Sequence, residues 1–516
     1  MRTRRIALVA FLLVAWPSLA LAHVGSPDVV HEGMAGPYRV LVSVIPPQVI
    51  PGIAEVEVES LESDLQGVKL VPMPLQGDGA RFAPTPDDAQ VIAGTSTSYV
   101  ARLWMMSAGS WQVRVTALGP RGTGELVVPV PALPRQTAGM QATLAAVLVA
   151  LLALLWCGVV SIVGASVAEA QLRPGQTPGP SQVRRSRIAK AIAGLLTGLA
   201  VWGGNVWWKA EARAYDRYVY KPIGMTASIQ EGALSLQLLN PSWLSARRLD
   251  DLVLDHDHLM HLYMVRVPDM DRIYHLHPTV TEGGERYTHP LPPDVPAGHY
   301  QLYADVVHAT GLPETAVAEL DLPATSGSPY PDSDDADATA PSISAADDAR
   351  RSSPLATGTM VFLREAGLRA DRVERLVFRV EDERHEPAKD LELYMGMQGH
   401  AAILRHDHGT FAHIHPSGSV PMAALAVAAA GPDPQARAAP KKDDAAAMPG
   451  MPGMPDMPDM ADMPGMPNMP HHVEDAALPS VVSFPYRFPG PGKYRIFVQV
   501  KRRGRIETGT FDANVE

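Results

Sequence analysis

The stretch from Gly139 to Ala165 carries no charged side chain. An apolar run of that length points to a bilayer, whose hydrocarbon core takes about 20 residues of helix. A second run, from Ile188 to Trp208, ends in Trp202, Trp207 and Trp208, the amphipathic rings that collect at a membrane interface. The sequence therefore predicts two transmembrane helices, 139–165 and 188–208. The loop 166–187 between them holds Arg173, Arg184, Arg185 and Arg187 against one acid, Glu169, which places it in the cytoplasm. Residues 1–22 read as a signal peptide, with Arg2, Arg4 and Arg5, an apolar stretch from Ile6 to Trp16, and a cleavage site at Ala20-Leu21-Ala22. Both readings put residues 23–138 and 209–516 outside the cytoplasm. The expected address is the inner membrane, with N- and C-terminal domains in the periplasm or outside the cell. Neither run has an ionisable residue at its centre, so the helices read as an anchor and not as an ion path.

The chain of 516 residues is long enough for two to four domains. It is 46% hydrophobic and only 19% charged, with 48 prolines, which fits membrane spans plus β-rich domains joined by Pro-rich segments. The net charge of -11 argues against a nucleic-acid partner, which would need a basic face. The single cysteine, Cys157, lies inside the first apolar run. Internal disulfides, CxxC redox chemistry and thiolate zinc sites are thereby excluded. A metal would have to be held by His, Met, carboxylate or backbone groups.

Residues 23–135 alternate in the manner of strands, as in Ala54-Glu55-Val56-Glu57-Val58 and Trp111-Gln112-Val113-Arg114-Val115, with turn signals at Pro46-Pro47, Pro51-Gly52 and Gly119-Pro120. About seven short strands in this length predict an immunoglobulin-like β-sandwich. The fold class expected for the chain is mainly β, with immunoglobulin-like sandwiches and two transmembrane helices. Gly36-Pro37-Tyr38, followed much later by Gly109-Ser110-Trp111 and a closing hairpin, resembles exported FixH-like and YtkA-like β-domains. The resemblance implies copper handling or respiratory-enzyme assembly. Cleavage after Ala22 would make His23 the N-terminus, where its amine and imidazole could chelate Cu(II).

The region after residue 209 is a duplication. In the first copy His261-Leu262-Tyr263 precedes His275-Leu276-His277-Pro278, and Gly298-His299-Tyr300 follows. In the second, His400-Ala401-Ala402 precedes His413-Ile414-His415-Pro416, and Gly492-Lys493-Tyr494 follows. The expected units are repeat 1 (209–323), a disordered acidic linker (324–356), and repeat 2 (357–516) with an insertion at 417–479. Residues i and i+2 of a strand share a face, so each H-x-H sets two imidazoles side by side. The earlier lone His, on a neighbouring strand, could complete a three-nitrogen site for copper, zinc or nickel. Asp255-His256-Asp257-His258 and His406-Asp407-His408 read as auxiliary ligands or as polar turns, with turns the preferred reading. The arrangement resembles exported heavy-metal-binding or YtkA-like domains, which implies His261, His275 and His277, with His400, His413 and His415, as ligands.

The insertion carries Met448, Met451, Met454, Met457, Met460, Met463, Met466 and Met469, then His471 and His472. Proline at this density excludes helix and favours polyproline II, whose threefold period sets every Met along one edge, roughly 9 Å apart. Thioether is a soft ligand that selects Cu(I). The tract resembles the Met-rich segments of exported copper-resistance proteins.

The expected cofactor is copper, with zinc or another divalent ion as the alternative. The expected function is copper tolerance, buffering or delivery by a membrane-anchored binding protein that is not an enzyme. A protein partner in copper delivery or respiratory assembly would follow from it. The alternative is a scaffold or assembly factor for a respiratory complex. A copper oxidase or monooxygenase centred on His23 is the weaker alternative, since the exported parts have no Cys for an H-C-H relay.

Overall fold

The computed structural model describes residues 23–24, 28–62, 64–137, 139–173, 175–241, 243, 247–281, 286–342, 351–363, 367–431 and 478–516. The signal peptide, the eight-methionine tract, His471 and His472 lie outside the described residues. The described chain is mainly β, in several antiparallel sheets packed as sandwich-like layers.

Two sheets form the N-terminal unit. One runs Val29–Ala35, Tyr38–Ile45, Gly52–Ser60, Ser98–Met105 and Gln90–Val91; the other runs Gly122–Ala132, Gly109–Gly119, Gly67–Pro74 and Asp87–Asp88. The sequence alternation is carried into burial: along Gly52–Ser60, Ala54, Val56 and Val58 face inward and the glutamates between them face out. The inward faces of both sheets, with Val42, Leu103, Val113 and Val128, make one apolar core.

The chain then forms a helical hairpin. Helix α1, Ala142–Glu169, is long and apolar enough to cross a membrane, and no residue of its most apolar window is buried. Helix α2 runs Pro180–Tyr215 and packs back on α1, where Ser186 Oγ donates to the Gly164 carbonyl at 2.6 Å. Two expectations need correction here. α1 is the one helix among the described residues that is apolar enough to span. The run 188–208 is helical but falls short, because Lys190, Gly198, Gly203, Gly204 and Asn205 dilute it. The loop is also shorter than expected, since α2 already begins at Pro180.

The hairpin leaves and rejoins the β-region at one place, where the Tyr220 amide donates to the Pro134 carbonyl at 2.7 Å. Trp243, fully buried, packs there with Leu133 and Leu312. Tyr220 donates to Glu314, which also pairs with Arg247 and His308, so the base of the hairpin is tied by a buried polar network.

Repeat 1 is a ten-stranded sheet wrapped around its own core. Its order includes Gly298–His308, His261–Val267, Arg272–Leu276 and Ala336–Thr339 as consecutive neighbours. The last of these strands belongs to the segment expected to be a disordered linker. Ala336 to Thr339 pair with His275 to Arg272, and Thr325 pairs with Val295, so much of 324–342 is part of the fold. Repeat 2 has two sheets. One carries Thr410–Ile414, His400–Arg405 and Gly492–Arg502; the other carries Gly358–Leu363, Val373–Asp382 and Val481–Arg487. The start of the expected insertion is ordered too, as helix α3, Met422–Ala429. Ahead of it Gly418 has φ +119 and lies so close to the Val30 carbonyl that a Cβ could not fit.

The two repeats meet face to face. Tyr263, Ile273 and Tyr303 of the first pack on Ala402, Leu404, Phe411 and Phe497 of the second. Tyr303 and Phe411 stack with ring centroids 4.3 Å apart.

Candidate metal centre

The same hairpin delivers histidines in both repeats. In repeat 1 the pairing of His261–Val267 with Arg272–Leu276 sets Tyr263 opposite His275. In repeat 2 the pairing of His400–Arg405 with Thr410–Ile414 sets Ala402 opposite His413. The H-x-H expectation holds in geometry: the rings of His275 and His277 are 4.7 Å apart, and so are those of His413 and His415. His261 and His400 each join their own pair, with centroids 5.0 Å from His277 and His415 respectively.

The sequence left one relationship unread. Because the repeats pack face to face, the two triads converge on one interface. His413 lies 5.4 Å from His261 and 5.7 Å from His275, ring to ring. The turn Asp255–His258 lies at this centre as well, so of its two readings the geometry favours auxiliary ligands over a plain polar turn. His256 lies 5.0 Å from His400 and 5.1 Å from His415. His258 stacks on His277 at 3.8 Å.

The hydrogen bonds of the first triad decide which nitrogens are free. His261 Nε2 donates to the Asp255 carbonyl at 2.9 Å, which leaves the Nδ1 lone pair. His275 Nδ1 donates to Gln499 Oε1 at 2.9 Å, which leaves Nε2. His277 Nδ1 meets Asp335 Oδ1 at 3.0 Å, and its Nε2 is buried with no partner. These tautomers are assigned from the bonding network. The free His261 Nδ1 and His275 Nε2 are 3.3 Å apart. Two nitrogens bound tetrahedrally to one ion at about 2.0 Å stand about 3.3 Å apart. The ligand atoms of all three residues lie within 4.8 Å of one another.

Outside the triad, Asp335 takes its other oxygen to His289 Nε2 at 2.9 Å. Burial would raise the Asp335 pKa, but its hydrogen bonds with His277 and His289 hold the carboxyl well below the usual range. A carboxylate fixing the far nitrogen of an imidazole is the usual support for a metal-bound histidine.

The second group, His256, His400 and His415, also has ligand nitrogens within 4.8 Å. His256 Nε2, both nitrogens of His400 and His413 Nε2 are buried without a hydrogen-bond partner. Each such group costs about 1–3 kcal/mol if nothing satisfies it. A sequence that gathers several of them at one interface is compensated if an ion takes their lone pairs. Burial pushes the imidazoles of His261, His275, His400 and His415 well below their usual pKa, and that of His277 down to about 4. Neutral imidazole is the form that binds a metal.

A third, less buried group joins His258 with Asp332 and Asp334 at the rim. A cavity of about 980 Å³ lies between the N-terminal unit and the two repeats, and His261, His413 and His415 are in its wall.

Comparison with known proteins adds little to this geometry. A family model described as a domain of unknown function, DUF8832, matches residues 355–443, within repeat 2. No curated protein matches the chain. Among solved structures, MtrC from Shewanella baltica is 12% identical over 56% of this chain and 71% of its own, with a TM-score of 0.15. A Salmonella alpha-2-macroglobulin reacted with methylamine is 10% identical over 96% of this chain, with a TM-score of 0.20. An engineered protein is 20% identical over 18% of this chain, with a TM-score of 0.15. This chain spans 24% of the macroglobulin and 20% of the engineered protein. Similarity at this level carries no argument about fold or function.

The other histidines, the expected ligand His23 among them, lie elsewhere. The strand His23–Val24 runs parallel to Thr410–Phe411, on the edge of the sheet that holds His413; the His23 side chain is outside the described residues. His31 is buried in the N-terminal unit, where burial pushes its pKa to about 4, and it belongs to none of the three groups. His406 and His408 stay in the hairpin turn after Arg405, as expected. Sequence reasoning ranked a ligand role for His256 and His258 below a plain turn, and it missed Asp335, Gln499 and Tyr394, whose hydroxyl lies 3.1 Å from His275 Nδ1. Only the first two had an available signal, since their turn lies at the same distance before His261 as Tyr394-Met395-Gly396-Met397 lies before His400.

Proposed function

We propose that this protein is a membrane-anchored, exported copper-binding protein that buffers, tolerates or delivers copper, with its principal site at the interface between the two repeats. The observation that carries the reading is the set of buried imidazole nitrogens, contributed by both repeats, that have no hydrogen-bond partner. The role is binding and not turnover. Imidazole sets alone suit copper, zinc and nickel. The methionine tract favours copper among these, because thioethers select Cu(I).

The anchoring follows from how the helical hairpin is tied. Helix α1 is the anchor, and the two ends of the hairpin meet, because the Tyr220 amide donates to the Pro134 carbonyl. Both folded regions then sit on one side, the exported side given by the signal peptide. The immunoglobulin-like character of the N-terminal sandwich belongs to the same proposal.

The test is copper binding by the full chain in detergent, with the eight tract methionines changed to leucine so that the interface is read alone. About two coppers per chain, one per histidine triad, are expected. They should be lost when His275 and His415, one from each group of converging nitrogens, are both changed to alanine. Undiminished copper binding in that variant would overturn the reading.

A further inference from the structure

The two triads obey an approximate twofold relation. His261 to His275 is 5.5 Å and His400 to His413 is 5.4 Å, ring to ring. The remaining distances within each triad agree as closely. The relation extends to the turns before each triad. Asp255 and His258 exchange backbone hydrogen bonds of 2.8 and 3.0 Å; Tyr394 and Met397 exchange bonds of 2.7 and 3.0 Å. The second residue of each turn is left-handed, with φ 51 for His256 and φ 50 for Met395. Asp255 and Tyr394 are both buried, and the residues after them follow the same sequence of exposure. His256 therefore corresponds to Met395, and His258 to Met397.

His256 does not serve its own repeat. It crosses the interface, and its ring joins His400 and His415. A ring nitrogen of His256 meets the Met395 backbone carbonyl, so the two turns abut at the axis. Gln499 and Asp305, equivalent in the two repeats, likewise each reach a histidine of the other repeat, so a twofold relation would set Met395 beside the triad of repeat 1.

We propose that the Met395 thioether is the fourth ligand of an ion held by His261, His275 and His277. The two sites then differ in chemistry. One offers three imidazoles and a soft thioether, a set suited to Cu(I). The other offers the three imidazoles of His256, His400 and His415, a harder set that takes Cu(II) or Zn(II). The duplication, by placing Met in one turn where the other has His, makes a pair of unlike sites from like halves. This inference rests on the metal-binding reading above.

The experiment compares Met395→Leu with its parent, both full-length in detergent and both with the eight tract methionines changed to leucine. Cu(I) is titrated against a competing chelator, Zn(II) is titrated separately, and the copper-bound protein is examined by X-ray absorption for a sulfur neighbour. The expected result is at least about a tenfold weaker hold on one of the two Cu(I) ions, loss of the sulfur neighbour, and unchanged Zn(II) affinity at the other site. Met397→Leu should leave all three as in the parent. Met395→Leu with unaltered Cu(I) affinity and the sulfur neighbour retained would overturn the proposal while leaving the metal reading intact. A parent that binds no copper would overturn both.

Discussion

Asp305 and Gln499 stand at the same place in the two repeats, and each reaches across to a histidine of the other. Asp305 pairs in register with His261, and Gln499 with His400. Yet Gln499 accepts from His275 at 2.9 Å, and Asp305 lies 3.5 Å from His413 Nδ1. Each repeat thus places a polar side chain against a histidine of its neighbour. Gln499→Leu removes the acceptor that fixes the His275 tautomer. It should weaken metal binding by the first triad about 10- to 100-fold. Competition titration of the variant against its parent would show this; unchanged affinity would mean that Gln499 does not orient the ring.

Asp335 serves His277 and His289 together from within repeat 1. Asp335→Ala leaves two buried imidazoles without their carboxylate. A loss of about 2–3 kcal/mol is expected, the scale for leaving buried donors unsatisfied. Chemical unfolding of the metal-free protein measures it. A change below 1 kcal/mol would contradict the pairing.

His308 gives a dependence on pH that is independent of the metal. Burial alone would lower its pKa, but hydrogen bonds to Asp251 and Glu314 raise it to about 9. An unfolded histidine titrates near 6.5. The raised folded value means that the stabilisation is whole below about pH 6.5 and is lost as pH rises through about 9, a span of ~3 kcal/mol. His308→Gln should be less stable than the parent at pH 6, and the gap should close by pH 9.5. A gap independent of pH would show that the ring is not protonated in the fold.

Phe411 joins the repeats by stacking on Tyr303 at 4.3 Å. Phe411→Ala should cost about 3–5 kcal/mol through the cavity it leaves. Because the triads are held together by that interface, the variant should also bind copper more weakly at both sites. Thermal melting with and without copper tests both effects.

The strands and the histidine triads were legible because strand period and hairpin register are local. Two residues apart on one strand means one face, and His275 with His277 and His413 with His415 show it. The convergence of the triads was not legible, since it depends on how two folded faces pack through Tyr303 and Phe411. The segment around Asp335 misled for a related reason. Its acidic, Ser- and Pro-rich composition resembles disorder, but Ala336–Thr339 gains a strand partner in Arg272–Leu276 and Asp335 gains two imidazoles. The second helix was overread, because Trp202, Trp207 and Trp208 mark an interface without adding enough apolarity to the run.

The most direct test of the central claim is the copper content of the full-length protein lacking the methionine tract's thioethers, measured beside variants in which one triad or both are removed. Two coppers per chain are expected in the parent, one after His277→Ala or His415→Ala, and none after His275→Ala with His415→Ala. Equal copper in all four proteins would contradict a metal centre between the repeats.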